Sequence, residues 1–219
     1  MRFANRRDAG KRLAEKLKGT IEGPVSVFAL PRGGVPVGLE IAKALRAPLD
    51  LVMVRKIGAP GQPELALAAV ADGEQPELVI NEDVMRMTGA TRDYLEREAR
   101  AELAEIERRR HRYLAGRARA PVAGRTVIVV DDGIATGATM RAALRALRRG
   151  GPRELVLAVP VAPPDTLDRL RPEADRIVCL YTPEWFAAVG QFYDEFTQTT
   201  DEEVIQALAE APPDREEEA

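Results

Sequence analysis

The stretch Val127-Ile128-Val129-Val130-Asp131-Asp132-Gly133-Ile134-Ala135-Thr136-Gly137-Ala138-Thr139-Met140 decides how this chain is read. Four consecutive β-branched residues suit a parallel strand covered on both faces. Two acids and a Gly/Thr-rich turn then lead into a helix, whose first backbone N–H groups lack partners within the helix and attract an anion. A phosphate therefore belongs beside residues 133 to 139. Paired acids repel phosphate unless they serve hydroxyls or a metal carried in with the ligand, and a ribose phosphate with magnesium meets both demands. The plain alternative is an ordinary strand-turn-helix corner of an α/β protein.

Two commoner phosphate loops are excluded by the letters. A Walker A loop needs a lysine after its last glycine, whereas Ala138 follows Gly137, and no GxGxxG fingerprint is present. The order of apolar run, acidic pair, short variable turn and Thr-Gly-x-Thr resembles the diphosphoribosyl-binding signature of type I phosphoribosyltransferases. One departure is Gly133, which stands where that signature usually carries a branched apolar residue.

With 219 residues and 45% apolar content, the chain can bury a sizeable core. The 32 basic and 35 acidic residues leave no global field to recruit nucleic acid or an anionic membrane. Cys179, the one cysteine, lies in an apolar run and reads as a core residue in a reducing compartment. The opening MRFANRRDAGKRLAEKL has no apolar signal region and no apolar run reaches 18 residues, so a cytoplasmic protein is expected.

Along the chain, Ala9, Leu13 and Leu17 make an amphipathic helix over residues 6 to 18, with Asn5 as its N-cap. Val25 to Leu30 reads as a strand, Pro31-Arg32-Gly33-Gly34-Val35-Pro36 as a loop, and the stretch to Arg46 as a helix with Pro36 in its first turn. Leu49 to Val54 is the next strand, and Arg55 to Pro63, with its glycines and prolines, reads as a flexible loop. Leu65 to Val70 and Leu78 to Ile80 flank Asp72-Gly73 as a small hairpin. A long helix runs from Thr91 to about Gly116, with Leu95, Ala99, Leu103 and Ile106 on one stripe. Strands at 126 to 131, 155 to 161 and 177 to 181 alternate with helices at 139 to 149 and 164 to 170. Such alternation specifies an α/β fold: an open parallel sheet with helices on both faces. A single domain is expected over 1–210, with hood elements at about 58–90 and 183–200 and a disordered acidic tail at 211–219.

In an open parallel sheet, ligands bind beyond the carboxyl ends of strands where the winding reverses. If the strand at 49 pairs on one side of the first strand and the strand ending in Asp131 on the other, the loops 31–36 and 131–139 meet there. This argument is independent of the resemblance and selects the same two loops. The resemblance implies that the first loop grips a diphosphate, through Arg32 and backbone amides at Gly33 and Gly34. It implies that Asp131 and Asp132 hold the ribose 2- and 3-hydroxyls and, directly or through water, a Mg2+ riding on the diphosphate. Gly133, Ile134, Ala135, Thr136, Gly137, Ala138 and Thr139 then hold the 5-phosphate. Lys56, in an Arg-Lys-x-Gly pattern similar to the lid start of adenine phosphoribosyltransferases, is a catalytic candidate that could swing over the diphosphate.

The implied activity is transfer of the 5-phosphoribosyl group from 5-phosphoribosyl 1-diphosphate to a nitrogenous base with release of pyrophosphate, as in nucleotide salvage. The base is ambiguous because adenine-type and hypoxanthine-type features are mixed. Ala135 stands where 6-oxopurine enzymes usually carry an aspartate, which favours adenine or another base that is not a 6-oxopurine. Yet the aromatic cluster at 185 to 196 is similar to the hypoxanthine type, with Trp185, Phe186 and Tyr193 as candidate base-stacking rings. A homodimer or larger homo-oligomer is expected, with neither membrane nor nucleic acid as partner. The rival reading is a nucleotide-binding regulator of the same fold that binds RNA through Arg108-Arg109-Arg110-His111-Arg112; the acids preceding that run make a solvated helix face the simpler account.

Overall fold

The computed structural model describes residues 1–73 and 76–214. Five strands, β1 (Val25–Ala29), β2 (Leu49–Leu51), β6 (Thr126–Val130), β7 (Glu154–Val161) and β8 (Arg176–Tyr181), form a parallel sheet in the order β2-β1-β6-β7-β8. Strands β3 (Val54–Ala59), β4 (Gln62–Ala71) and β5 (Glu77–Ile80) form a separate antiparallel sheet. The helices are α1 (Arg6–Leu17), α2 (Gly34–Leu45), α3 (Glu82–Thr88), α4 (Arg92–Leu114), α5 (Ala138–Arg149), α6 (Pro164–Leu170) and α7 (Asp201–Glu210).

Alternation along the central strands explains the layers. Val27, Ala29, Ile128 and Val130 face one core with Leu13, Leu17 and the apolar residues of α2. Phe28, Val127, Val129 and Leu157 face the other with Met140, Leu144 and Leu170 of α5 and α6. Each Val, Leu, Ile, Phe or Met side chain so buried contributes roughly 1.5–3 kcal/mol relative to exposure. The helix starts are as the letters suggest: the Asn5 side chain accepts from the Asp8 backbone N–H, and the Thr91 hydroxyl accepts from that of Tyr94. A capping box at Thr200 and Glu203 opens α7.

Three expectations need correction. The strand expected over Leu49 to Val54 stops at Leu51, and the chain crosses to the second sheet at Val54. The loop expected over Arg55 to Pro63 is instead a β-hairpin: Ala59 pairs with Gln62 across Pro60-Gly61, Gly61 taking φ +72°, and register shifts at Gly58 accommodate the irregularity. The breakers therefore sit at the turn and beside the bulge, where they do not dissolve the strands. The small sheet lies on α5, with Ala69 and Ala71 against Ala142 and Ala146. Lastly, Asp214 of the acidic tail ion-pairs with Arg125 at 2.8 Å, so that residue is held against the core; residues 215–219 lie outside the described residues. Among the described residues, no helix is long and apolar enough to cross a membrane.

Candidate active site

The winding reverses between β1 and β6, which pair in register from Val25↔Thr126 to Ala29↔Val130. Their carboxyl-end loops therefore meet. Leu30 N–H donates to the Val130 carbonyl at 2.9 Å, and Gly34 N–H to the Leu30 carbonyl at 3.0 Å as α2 begins. The Pro31–Arg32 peptide is cis. A Cβ built on Gly33 would lie 2.1 Å from Asp132 Oδ2, so any other residue there would have to displace this carboxylate.

The second loop is pinned near its middle, at two adjacent residues. Ile134 N–H donates to the Val161 carbonyl at 3.0 Å, and the Thr166 hydroxyl to the Ala135 carbonyl at 2.7 Å. Ala135, Thr136 and Ala138 are exposed, Thr139 is half-buried, and Ile134 is turned into the core. Helix α5 starts after Gly137 with no side-chain cap, which leaves its first N–H groups for an anion. The unusual Gly133 has a local cause: a Cβ there would stand 2.6 Å from Val189 Cγ1, because the C-terminal segment packs onto the turn.

Burial pushes the Asp131 carboxyl well above the usual carboxylate range, and the neighbouring charge of Asp132 adds to the rise. Burial also raises Asp132, against the hydrogen bond and charge of Arg6, whose Nε lies 2.7 Å from Oδ2. The Asp132 N–H donates to Asp131 Oδ1 at 2.8 Å, and the Tyr193 hydroxyl donates to the Asp132 carbonyl at 2.5 Å. Burial raises that phenol too, so it stays a donor at ordinary pH. Arg6 and Tyr193 carried no sequence signal as partners of the acid pair, since they stand 126 and 61 residues from it.

The remaining candidates are dispersed. Arg32 is half-buried at the rim, with Nη1 3.4 Å from Asp201 Oδ1. Lys56 is exposed on β3 opposite Ala69, on a paired strand, and bonds to neither acid among the described residues. Of the aromatic trio, Trp185 is 88% exposed, Phe186 packs on Phe192 at 5.4 Å, and Tyr193 is 2% exposed and stacked on Phe196 at 5.0 Å. The basic run of α4 is engaged within the chain. Arg108 and Arg109 pair with Glu105, and Arg112 with Asp201. Arg110 departs from the expected solvated face: it is buried between Asp50 and Asp72, because the helix packs this side inward. No cluster of three or more potential metal ligands occurs among the described residues.

A family model for the phosphoribosyl transferase domain matches residues 3–197. The chain belongs to the phosphoribosyl transferase family. Proteins from Mycobacterium tuberculosis strains H37Rv and CDC 1551, both provisionally named phosphoribosyl transferases, are 48% identical over 212 residues. That match covers 97% of this chain and 47% of each relative, so the chain spans about half their length. The crystal structure of TT1426 from Thermus thermophilus is similar at 48% identity and a TM-score of 0.82, covering 97% of this chain and all of that one.

Proposed function

We propose that this chain transfers the 5-phosphoribosyl group of 5-phosphoribosyl 1-diphosphate to a nitrogenous base and releases pyrophosphate. The observation that carries this reading is the placement of the Asp132 carboxylate directly over Gly33, which joins a sugar-binding acid pair to a loop suited to diphosphate. The uncapped start of α5 would hold the 5-phosphate, with the Thr136 and Thr139 hydroxyls beside it. Asp131 and Asp132 would accept from the ribose hydroxyls and fix the anomeric carbon. Arg32 would neutralise the departing diphosphate. The reaction needs positioning and charge stabilisation, not a covalent intermediate.

The acid pair also suits Mg2+, which takes oxygen ligands and is commonly held by one or two carboxylates together with substrate phosphates. Two adjacent half-buried carboxylates whose charges oppose one another provide such a donor set. The metal would screen the negative charge that builds on the leaving group.

For the acceptor, Ala135 is exposed on the sugar-side turn and offers no carboxylate to manage the ring proton of a 6-oxopurine. Adenine or another non-6-oxopurine base is therefore favoured, with exposed Trp185 the ring free to stack on it. RNA binding gains no support, because Arg108 and Arg109 answer Glu105, and Arg110 is buried.

The test is base-dependent pyrophosphate release from the sugar diphosphate with Mg2+, using adenine, hypoxanthine and guanine with wild type and Ala135→Asp. Acid–base assistance is worth about 10²- to 10⁴-fold, so wild type should prefer adenine and the variant should gain on guanine. Efficient guanine transfer by wild type would refute the base assignment, and no release with any base would refute the transferase reading.

A further inference from the structure

Arg6 belongs to no loop that the transferase reading uses, yet it makes the closest ionic contact at the acid pair. Its Nε meets Asp132 Oδ2 at 2.7 Å, and its Nη1 donates to the Thr197 carbonyl at 2.7 Å. The face of its guanidinium lies 3.9 Å from the Phe196 ring centroid. Two arms of the fork and one face are thus fixed, and the side chain is only 12% exposed. Phe196 stacks on Tyr193, whose hydroxyl holds the backbone of Asp132, so one brace grips both the side chain and the main chain of the same residue.

The brace matters because of where this carboxylate lies. Asp132 is pressed between Asp131, which repels it, and Gly33 of the first loop, which it nearly touches. The oxygen that Arg6 holds, Oδ2, is the one nearest Gly33, so the guanidinium offsets the carboxylate charge that faces the loop suited to diphosphate. We infer that Arg6 is a positioning residue for the sugar site, holding Asp132 Oδ2 in place beside Gly33 and so presenting the carboxylate in one orientation to ribose hydroxyls. A preset acceptor costs less ordering when the sugar binds than a mobile one. Arg6 acts through Asp132, and the inference rests on the sugar-diphosphate reading above.

Two probes separate this role from a purely structural one, by calorimetric titration without metal. Ribose 5-phosphate engages the acid pair and the start of α5, whereas inorganic phosphate engages only the latter. Arg6→Ala should weaken ribose 5-phosphate about tenfold or more, as loss of a charge-assisted hydrogen bond implies, and leave phosphate within about twofold. Arg6→Lys should recover part of that loss by restoring the charge. Equal weakening of both probes, or unchanged ribose 5-phosphate binding, would overturn the inference. Should Arg6→Ala fail to fold, Phe196→Leu, which removes the ring beneath the guanidinium, should give the same selective loss in smaller measure, and a non-selective loss would count against the idea. If wild type binds phosphate but not ribose 5-phosphate, the sugar-site reading itself fails; if wild type binds both and the variants match it, only the role of Arg6 does.

Discussion

Two places in this molecule bring a pair of aspartates to an arginine, and they are built to opposite ends. In the interior, Arg110 meets both oxygens of Asp50 at 2.9 and 3.0 Å and Asp72 at 3.1 Å. Backbone N–H groups of Leu51 and Ala120 complete Asp50, and that of Met53 completes Asp72. This trio ties the edge strand β2 to α4 and to the end of β4, and its acceptors are spent within the chain. At the sheet's carboxyl end, Arg6 meets Asp132 at one oxygen, and no cation pairs with Asp131 among the described residues. The same three side chains thus make a rivet in one setting and a receptor in the other. What distinguishes them is acceptor capacity left over beside a loop that opens to solvent.

The comparison can be broken from its interior side first. Arg110→Ala leaves buried Asp50 without a cation and Asp72 with only Arg119, 3.6 Å away, and should cost about 3–5 kcal/mol of stability, measured by urea unfolding. A loss below about 1 kcal/mol would mean that the interior trio is no more committed than the rim. At the rim, Asp131→Asn should lower pyrophosphate release by about a hundredfold or more, while stability at neutral pH holds or rises. The sign follows from the raised carboxyl: its folded form favours the proton, so the ionised group destabilises the fold at neutral pH, and an amide removes that penalty. The gain should fade as pH falls toward the ordinary value of 3.8, where wild-type Asp131 is protonated as well. Stability lost at neutral pH with activity kept would reverse the roles assigned to the two clusters. The smallest effect is expected at Gly133→Ala, whose Cβ meets Val189 at 2.6 Å and Val161 at 3.0 Å: about 1–3 kcal/mol, partly relieved in the double variant Gly133→Ala with Val189→Ala. Persistence of the full cost in that double variant would show that Val189 is not what demands glycine there.

The parallel sheet and its reversal were legible in the sequence because their signals are local. β-branched runs, breakers and caps fall within a few residues of one another, and the order of elements then restricts the winding. The second sheet was only half legible, since a flexible-loop reading of Arg55 to Pro63 takes every Pro and Gly as an interruption, whereas two of them make a turn and others border a bulge. Arg110 stands in a run of basic residues whose composition suggests solvent; its burial depends on Asp50 and Asp72, 60 and 38 residues away. The two glycine-bearing loops of the candidate site could be read from their letters. The brace on them could not, because neither periodicity nor motif links Arg6 to Asp132 or Tyr193 to the loop it holds.

The brace also sets an order of assembly. Phe3 N–H donates to the Phe192 carbonyl and Asp194 N–H to the Phe3 carbonyl, so the segment leading into α1 is zipped to the one that carries Tyr193 and Phe196. A ribosome delivers Arg6 first, Asp132 126 residues later and residues 192–197 after both. During synthesis the acid pair is thus left without its full support until almost the whole described chain has emerged, and contacts of such separation are the slow ones to form. A nascent or truncated chain can complete its central sheet while the candidate sugar site is still unfinished.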